Sequence, residues 1–136
     1  MKERIHHKAN EITDFLLELK EIVPPRLDDY LKNLVTKAAC ERYFEKIVEA
    51  LVDLSFMVIK HKKLKIPDDD NGVFKLLAQE EIISENLAFK LRKAKGMRNI
   101  IAHEYSEIED KLVFQAVSSK IQSDAEEFLN EIKKAL

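Results

Sequence analysis

The residues from Gly96 to Tyr105 carry the side chains best suited to anion and proton chemistry. Arg98 falls on a helical stripe between Ala94 and Ile101, at a position where a leucine is expected. Arginine is seldom buried without a partner, so this stripe is predicted to meet an anion, a second subunit or both, unless an acid of the same chain pairs with Arg98. His103 can give or accept a proton near neutral pH. The segment is therefore the first candidate for a functional site.

Helix geometry limits how these residues can work together. On an ideal helix, Arg98 and His103 point about 140° apart. They can face one ligand only if the helix ends before His103 or if a second chain completes the site. Asn99 is a candidate auxiliary residue, because it lies four residues before His103 and could orient it, although a capping or loop hydrogen bond explains it equally well. Asp53 is the second auxiliary candidate: it could pair with Arg98, hold His103, or mark the solvent-facing edge of its helix.

Other standard sites are not predicted. The sequence has no glycine-rich phosphate loop, no CxxC and no HExxH. His61 lies among lysines, which would oppose the binding of a cation, so no metal site is expected. The single Cys40 cannot form an internal disulfide and is predicted to be a small packing residue. With no signal peptide visible, a cytoplasmic location is expected.

Charge is distributed unevenly along the chain. Lysine and arginine number 23 and acids 25, which gives a net charge of −2 and argues against the whole molecule being a polyanion binder. Four cationic residues precede Arg98 with no acid among them, and a second basic cluster runs from Lys60 to Lys65. These runs fit a phosphate backbone or an ordinary solvated helix face equally well. The candidate RNA-binding residues are Lys90, Arg92, Lys93 and Lys95.

The composition predicts an all-α fold. The 136 residues include two glycines and three prolines, too few for the turns of a sheet protein, and suit one domain spanning residues 1–136. Hydrophobic spacing predicts a mostly antiparallel bundle of about five helices. No apolar run is long enough to span a membrane, so no membrane partner is expected. The predicted helices are Ile5–Val23, Leu27–Lys60, Val73–Ile83, one from the N-cap Ser84 to about Tyr105, and one opened by a capping box at Ser106-x-x-Glu109.

The sequence resembles a known family. Arg98-x4-His103-x-Tyr105 is similar to the R-x4-6-H motif of HEPN domains, in the RX4HXY form of the HepT toxins. Glu41-Arg42 and the segment Ala50–Leu54 resemble that family's central helix, and chain length and helix order also agree, so the resemblance covers nearly the whole chain.

This resemblance implies a metal-independent RNA endonuclease without a cofactor, with Arg98 and His103 as catalytic residues. It implies a homodimer whose two motifs face one cleft. It further implies a toxin neutralised by a small nucleotidyltransferase antitoxin that attaches AMP to Tyr105.

The residue chemistry is compatible with RNA cleavage. The 2′-hydroxyl can attack the adjacent phosphate if a proton acceptor, a proton donor and cations are at hand. Histidine serves in either proton role, and the Arg98 guanidinium offers forked donors to phosphate oxygens. One motif holds one histidine, so a separate acid and base require two protomers. Arg98 and Tyr105 lie on the same helical stripe as three apolar residues, Leu87, Leu91 and Ile101. We therefore predict that this stripe is buried against a twin subunit.

A different function is also possible. A non-catalytic HEPN bundle could bind nucleotides or serve as an accessory subunit of a nucleotidyltransferase. The intact pair of Arg98 and His103 favours the ribonuclease, because degenerate members need not keep both.

Overall fold

The computed structural model describes residues 1–136, and all of its regular elements are helical. The prediction of an all-α fold is confirmed. A short 3₁₀ turn spans Tyr105–Glu107, and a π-helical turn spans Ala116–Lys120. The α-helices are α1 (Lys2–Ile22), α2 (Leu27–Lys32), α3 (Leu34–His61), α4 (Val73–Gln79), α5 (Glu85–His103), α6 (Asp110–Gln115) and α7 (Ile121–Ala135).

Helix α3 is the central rod, as the sequence predicts. Its residues from Ile47 to Ile59 are apolar on nearly all sides, and helices α1, α2, α4, α5 and α7 all pack against it. Helix α1 contributes one apolar stripe that includes Ile12 and Leu19, both fully buried. Ser55, inside the rod, satisfies its hydroxyl by donating to the Leu51 carbonyl at 2.8 Å. The position of α3 matters because Arg98 of α5 contacts it through Glu49.

The predicted second helix is broken at Asn33. Asn33 has extended backbone angles (φ −108°, ψ 97°), and its side chain accepts a hydrogen bond from the Thr36 amide at 3.0 Å. Asparagine is among the best N-cap residues, because its side-chain oxygen satisfies a free amide of the first turn. The segment from Leu27 to Lys32 is therefore a separate short helix, and α3 begins at Leu34.

The predicted capping box at the last helix is wrong. Ser106 lies inside the 3₁₀ turn, and α6 begins at Asp110 after an N-cap, Glu109, whose side chain makes no capping bond. The third predicted helix is also shorter than expected, since α4 ends at Gln79. Both differences occur in connections, where helical spacing of apolar residues gives little guidance.

Polar contacts tie helix α5 to two neighbouring elements along its length. At its start, the Ser84 hydroxyl caps the Leu87 amide at 3.1 Å, as predicted, and the Ser84 amide donates to Glu131 of α7 at 3.1 Å. Further along, Lys95 pairs with Asp70 of the α3–α4 loop at 3.1 Å. These contacts fix the direction of α5 and so the place of its C-terminal end.

No helix has the length and apolar character that crossing a lipid bilayer requires. Cys40 is fully buried in the core. Burial raises the pKa of its thiol to about 11, so the thiol stays protonated and packs as a small apolar group, as predicted.

Candidate functional site

Arg98 lies in a cleft of about 240 Å³ between α3, α5 and the α3–α4 loop. Its side chain is 24% exposed. Nη2 donates to Glu49 Oε1 at 2.9 Å and Nη1 donates to Asn99 Oδ1 at 3.0 Å, whereas the buried Nε has no partner. The guanidinium is therefore held in a fixed orientation, with its buried Nε–H unpaired.

Glu49 is a site residue that the sequence analysis missed. Its side chain is 40% exposed, so its pair with Arg98 lies at the mouth of the cleft. A phosphate oxygen could take the place of this carboxylate, because both accept the same forked donors. The signal was present in the sequence: Glu41, Glu45, Glu49 and Asp53 recur at intervals of four along α3.

The structure shows what the two auxiliary candidates, Asp53 and Asn99, contact. Asp53 lines the Arg98 cleft but does not pair with Arg98; its nearest cation is Lys8 at 3.9 Å. Its side chain is 60% exposed, so it marks the solvent-facing edge of α3. Asn99 orients Arg98, its neighbour in sequence, and makes no hydrogen bond to His103.

His103 is the last residue of α5, and it is exposed. The helix stays regular up to His103, so Arg98 and His103 keep the separation of about 140° that an ideal helix imposes. Within one chain the two side chains do not converge. Of the two conditions set by the sequence, an early end of the helix is not met.

Tyr105 hydrogen-bonds to a buried acid. Its hydroxyl donates to Glu41 Oε1 at 2.9 Å, while the tyrosine as a whole is 58% exposed. Glu41 is only 3% exposed, and its second oxygen, Oε2, has no hydrogen-bond partner. Burial raises the pKa of the Glu41 carboxyl, and the hydrogen bond to that carboxylate raises the pKa of Tyr105. In the sequence, Glu41 contributes only to the resemblance of α3 to the central helix of the HepT family, and its spacing predicts no functional role.

The basic run on α5 is less available than its sequence indicates. Lys95 is 8% exposed and is held by Asp70 and Asn71, both at 3.1 Å, so its ammonium group is already paired within the chain. Lys90 lies 3.7 Å from Glu127 of α7. Arg92 and Lys93 are exposed and have no acidic partner; Lys93 lies over the Phe89 ring at 4.9 Å.

The stripe predicted to face a twin subunit is covered by the chain itself. Leu87 and Leu91 are fully buried and Ile101 is 5% exposed, all within a single chain. The stripe packs into the core because α5 lies against α3, α4 and α7. This prediction is wrong for the stripe, and any second subunit must use another surface.

No three His, Cys, Asp or Glu side chains come together in a way that could hold a metal ion. The groups that the structure does bring together are two acid-to-donor pairs between α3 and the end of α5. One is Glu49 with Arg98, and the other is Glu41 with Tyr105.

Comparison with known proteins gives consistent matches. The family model described as ribonuclease HepT-like matches residues 12–132. The mRNA nuclease HepT of Shewanella oneidensis is 33% identical over 89 residues, which span 65% of this chain and 66% of that protein. The tRNA nuclease HepT of Aphanizomenon flos-aquae is 29% identical over 118 residues, 87% of this chain and 80% of that one.

The solved structures agree. The chain superposes on the tri-AMPylated Shewanella oneidensis HEPN toxin in complex with MNT antitoxin, with a TM-score of 0.90 and 25% identity over 98% of this chain and 99% of that one. The family match includes the segment from Arg98 to Tyr105 and every helix except the first half of α1 and the end of α7. The chain belongs to the HepT-like ribonuclease family.

Proposed function

We propose that this chain is the toxin of a toxin–antitoxin pair, an RNA endonuclease whose catalytic residues are Arg98 and His103. The observation that carries the proposal is the Arg98 guanidinium, fixed by Asn99 and Glu49 at the mouth of a cleft and able to exchange Glu49 for a phosphate. The relatives named as mRNA and tRNA nucleases support RNA as the substrate.

The chemistry needs no group beyond the protein and the RNA. The 2′-hydroxyl attacks the neighbouring phosphorus, the bond to the leaving 5′-oxygen breaks, and a 2′,3′-cyclic phosphate forms. One histidine accepts the 2′-proton and another donates a proton to the 5′-oxygen. Arg98 stabilises the charge that builds on the phosphate oxygens.

A homodimer supports this chemistry. Each chain supplies one His103. Because α5 is regular up to that residue, the His103 side chain points about 140° away from Arg98 of the same chain. Two motifs facing one cleft would supply two histidines and two arginines. Because the buried stripe of α5 is unavailable, the twin must meet the exposed end of α5 around His103.

Tyr105 is the proposed AMP acceptor for a nucleotidyltransferase antitoxin. Its ring is exposed, and it lies two residues after His103. The solved toxin that resembles this chain is tri-AMPylated and bound to an MNT antitoxin, which supports the same control here. An attached AMP would bring negative charge to the mouth of a cleft suited to phosphate, and so would oppose RNA entry.

The test is cleavage of RNA by purified chain, free of AMP and of its partner, in the presence of EDTA. We expect cleavage, and a loss of about 10²-fold or more in Arg98→Ala and in His103→Ala with helical content unchanged. Tyr43→Phe is a matched control, because its hydroxyl bonds only to exposed Glu18 far from the motif in sequence. Full activity in His103→Ala, or strict dependence on added divalent metal, would overturn the mechanism.

Mixing protomers tests the shared cleft. Wild-type chain and His103→Ala chain are combined in equal amounts and allowed to exchange. If both histidines act in one cleft, only wild-type dimers cut RNA, and activity falls to roughly a quarter of wild type. A fall to one half would mean that each chain works alone.

The basic residues can be ranked in the same assay. Arg92→Ala and Lys93→Ala should each raise the KM for RNA and lower its dependence on salt, because both side chains are exposed. Lys95→Ala should leave the KM nearly unchanged, because Lys95 already pairs with Asp70. A chain that binds nucleotides but cuts no RNA would favour the non-catalytic alternative.

A further inference from the structure

Glu41 is an unusual group in this molecule. The residue is only 3% exposed, yet its carboxylate accepts only one hydrogen bond, from the Tyr105 hydroxyl at 2.9 Å. Its other oxygen, Oε2, has no partner. A buried charge with half of its capacity unmet is costly to the folded state, so a role in packing alone does not account for it.

The Tyr105 side of this contact is open. The tyrosine is 58% exposed, so its ring can be approached from solvent while its hydroxyl proton points at Glu41. Donating that proton leaves the lone pairs of the phenolic oxygen free for attack on an electrophile. The pair thus has the arrangement of a nucleophile and its base.

We propose that Glu41 is the proton acceptor for the modification of Tyr105, so that the toxin supplies the base for its own inactivation. This inference rests on the proposed function, in which Tyr105 receives AMP. It adds that this chain supplies both the nucleophile, Tyr105, and its base, Glu41. The antitoxin then needs no base of its own to deprotonate the phenol.

In the proposed step, the phenolic oxygen of Tyr105 attacks the α-phosphorus of ATP and forms a new O–P bond. The bond between the α-phosphorus and the bridging oxygen to the β-phosphate breaks, and pyrophosphate leaves. The proton of the Tyr105 hydroxyl passes to Glu41 Oε1, which becomes a neutral carboxylic acid.

Proton transfer also relieves a problem that modification would otherwise create. Once AMP is attached, Tyr105 has no proton to donate, and a charged Glu41 would be left buried without any donor and close to a new phosphodiester. A neutral Glu41 avoids that repulsion and can itself donate to the phenolic oxygen. The surroundings favour this outcome, because burial raises the pKa of Glu41.

Other groups around Glu41 act in both directions. Lys37 favours the charged form of Glu41, but it is engaged by Asp110 at 2.8 Å, and Asp110 and Glu45 favour the neutral form. Burial of Tyr30 and Cys40 beside Glu41 keeps both of these neighbours protonated. The titratable and charged groups that face Glu41 are Tyr30, Lys37, Cys40, Glu45, Tyr105 and Asp110.

The experiment measures the rate at which AMP is added to the full chain. Wild type, Glu41→Gln and Glu45→Gln are each mixed with ATP and an excess of an MNT nucleotidyltransferase antitoxin, and the products are followed by intact-mass spectrometry. We expect Glu41→Gln to lower the maximal rate about 10²-fold or more, with unchanged affinity for the partner. Glu45→Gln, one turn along α3 and paired with Arg42, should stay within twofold of wild type.

A second measurement separates a base from a mere positioning contact. Tyr105 is replaced by 3,5-difluorotyrosine, whose phenol gives up its proton more readily. In the Glu41→Gln background this replacement should recover most of the lost rate. If Glu41→Gln changes the fold by circular dichroism, Glu41→Asp serves instead, since it keeps the carboxylate but moves it away by one methylene.

The outcomes distinguish this inference from the proposed function. Wild type that gains no AMP, or gains it at another residue, overturns the assignment of Tyr105 and the inference with it. Wild type modified at Tyr105 with Glu41→Gln modified just as fast overturns only the role of Glu41. A slow Glu41→Gln that difluorotyrosine does not rescue means that Glu41 positions the tyrosine and takes no proton.

Discussion

Two acids of helix α3 each hold one donor from the end of α5, and they do so in opposite environments. Glu49 pairs with Arg98 at the mouth of a cleft and is 40% exposed on its side chain. Glu41 lies eight residues earlier, about 12 Å along the helix axis, and is almost completely buried beneath Tyr105. The chemistry of the acid is the same in both places, so the difference lies in solvent access.

The contact between Glu49 and Arg98 can therefore be exchanged for another anion, whereas the contact between Glu41 and Tyr105 cannot. Water and ions can reach Glu49, so its pair with Arg98 contributes little to stability and can give way to an RNA phosphate. Glu41 has no such substitute, because a buried carboxylate that loses its donor has nothing to replace it. The first pair therefore suits substrate binding, and the second suits control of the site.

The largest expected effect is on RNA cleavage, which should depend on Arg98 and not on the hydroxyl of Tyr105. Arg98→Ala should lower RNA cleavage about 10²-fold or more, because the developing phosphate charge loses its fixed cation. Tyr105→Phe should leave cleavage by the unmodified protein within twofold, since its hydroxyl faces Glu41 and not the Arg98 cleft. Initial rates on a labelled RNA measure both. A loss in Tyr105→Phe as large as that in Arg98→Ala would remove the distinction between a catalytic and a control region.

The second effect is on stability. Tyr105→Phe removes the only donor to Glu41 and should lower the free energy of unfolding by about 1–3 kcal/mol, the usual cost of an unsatisfied buried polar group. Tyr43→Phe is the matched control: it removes a hydroxyl that bonds to Glu18 at the surface, and should cost less than about 0.5 kcal/mol. Urea denaturation gives both values. Equal costs would mean that burial of Glu41 carries no energetic weight.

A smaller effect is expected at the exposed pair. Glu49→Gln removes the charge that competes with phosphate for Arg98, so the KM for RNA should fall by up to about fivefold, since exposed ion pairs are worth at most about 1 kcal/mol. Asp53→Asn removes a charge from the same cleft without touching Arg98 and should change the KM by less than twofold. A higher KM in Glu49→Gln would show that Glu49 aids binding of RNA and does not compete with it.

The smallest effect is a dependence of stability on pH. Burial raises the pKa of Glu41 in the folded state, so the folded protein binds this proton more tightly than the unfolded chain. Its contribution therefore favours folding at low pH and is lost as pH rises through the folded pKa. Relative to Glu41→Gln, wild type should lose thermal stability as the pH rises above about 4.3, the pKa of a glutamate in the unfolded chain. Glu45→Gln should run parallel to wild type over that range, and a flat difference for Glu41→Gln would contradict the burial effect.

Much of the fold could be predicted from the sequence. Few glycines and prolines, together with apolar residues at steps of three and four, specify long helices and the central position of α3. The cap at Ser84 and the break after Val23 followed from local rules. The break at Asn33 was missed because a cap there competes with a helical pattern that continues on both sides.

The motif of Arg98, His103 and Tyr105 was visible in the sequence, because the residue types and their spacing along the chain are local properties. The partners were not. That Arg98 pairs with Glu49 and not with Asp53, that Lys95 is held by Asp70, and that the stripe of α5 is covered by its own chain depend on how α5 lies on α3.

The environment of Glu41 was settled by tertiary structure alone. In the sequence it is one of four acids at intervals of four on α3, and nothing in that spacing marks it as different. Helix α2 packs on the start of α3, where Asp110 of α6 binds Lys37 and Tyr105 of the 3₁₀ turn binds Glu41. Glu41 is buried there, whereas Glu49 stays open. Sequence thus determined which groups are present and on which helices. Only the packing of helices decided which of two identical carboxylates is buried, because burial depends on neighbours distant in the chain.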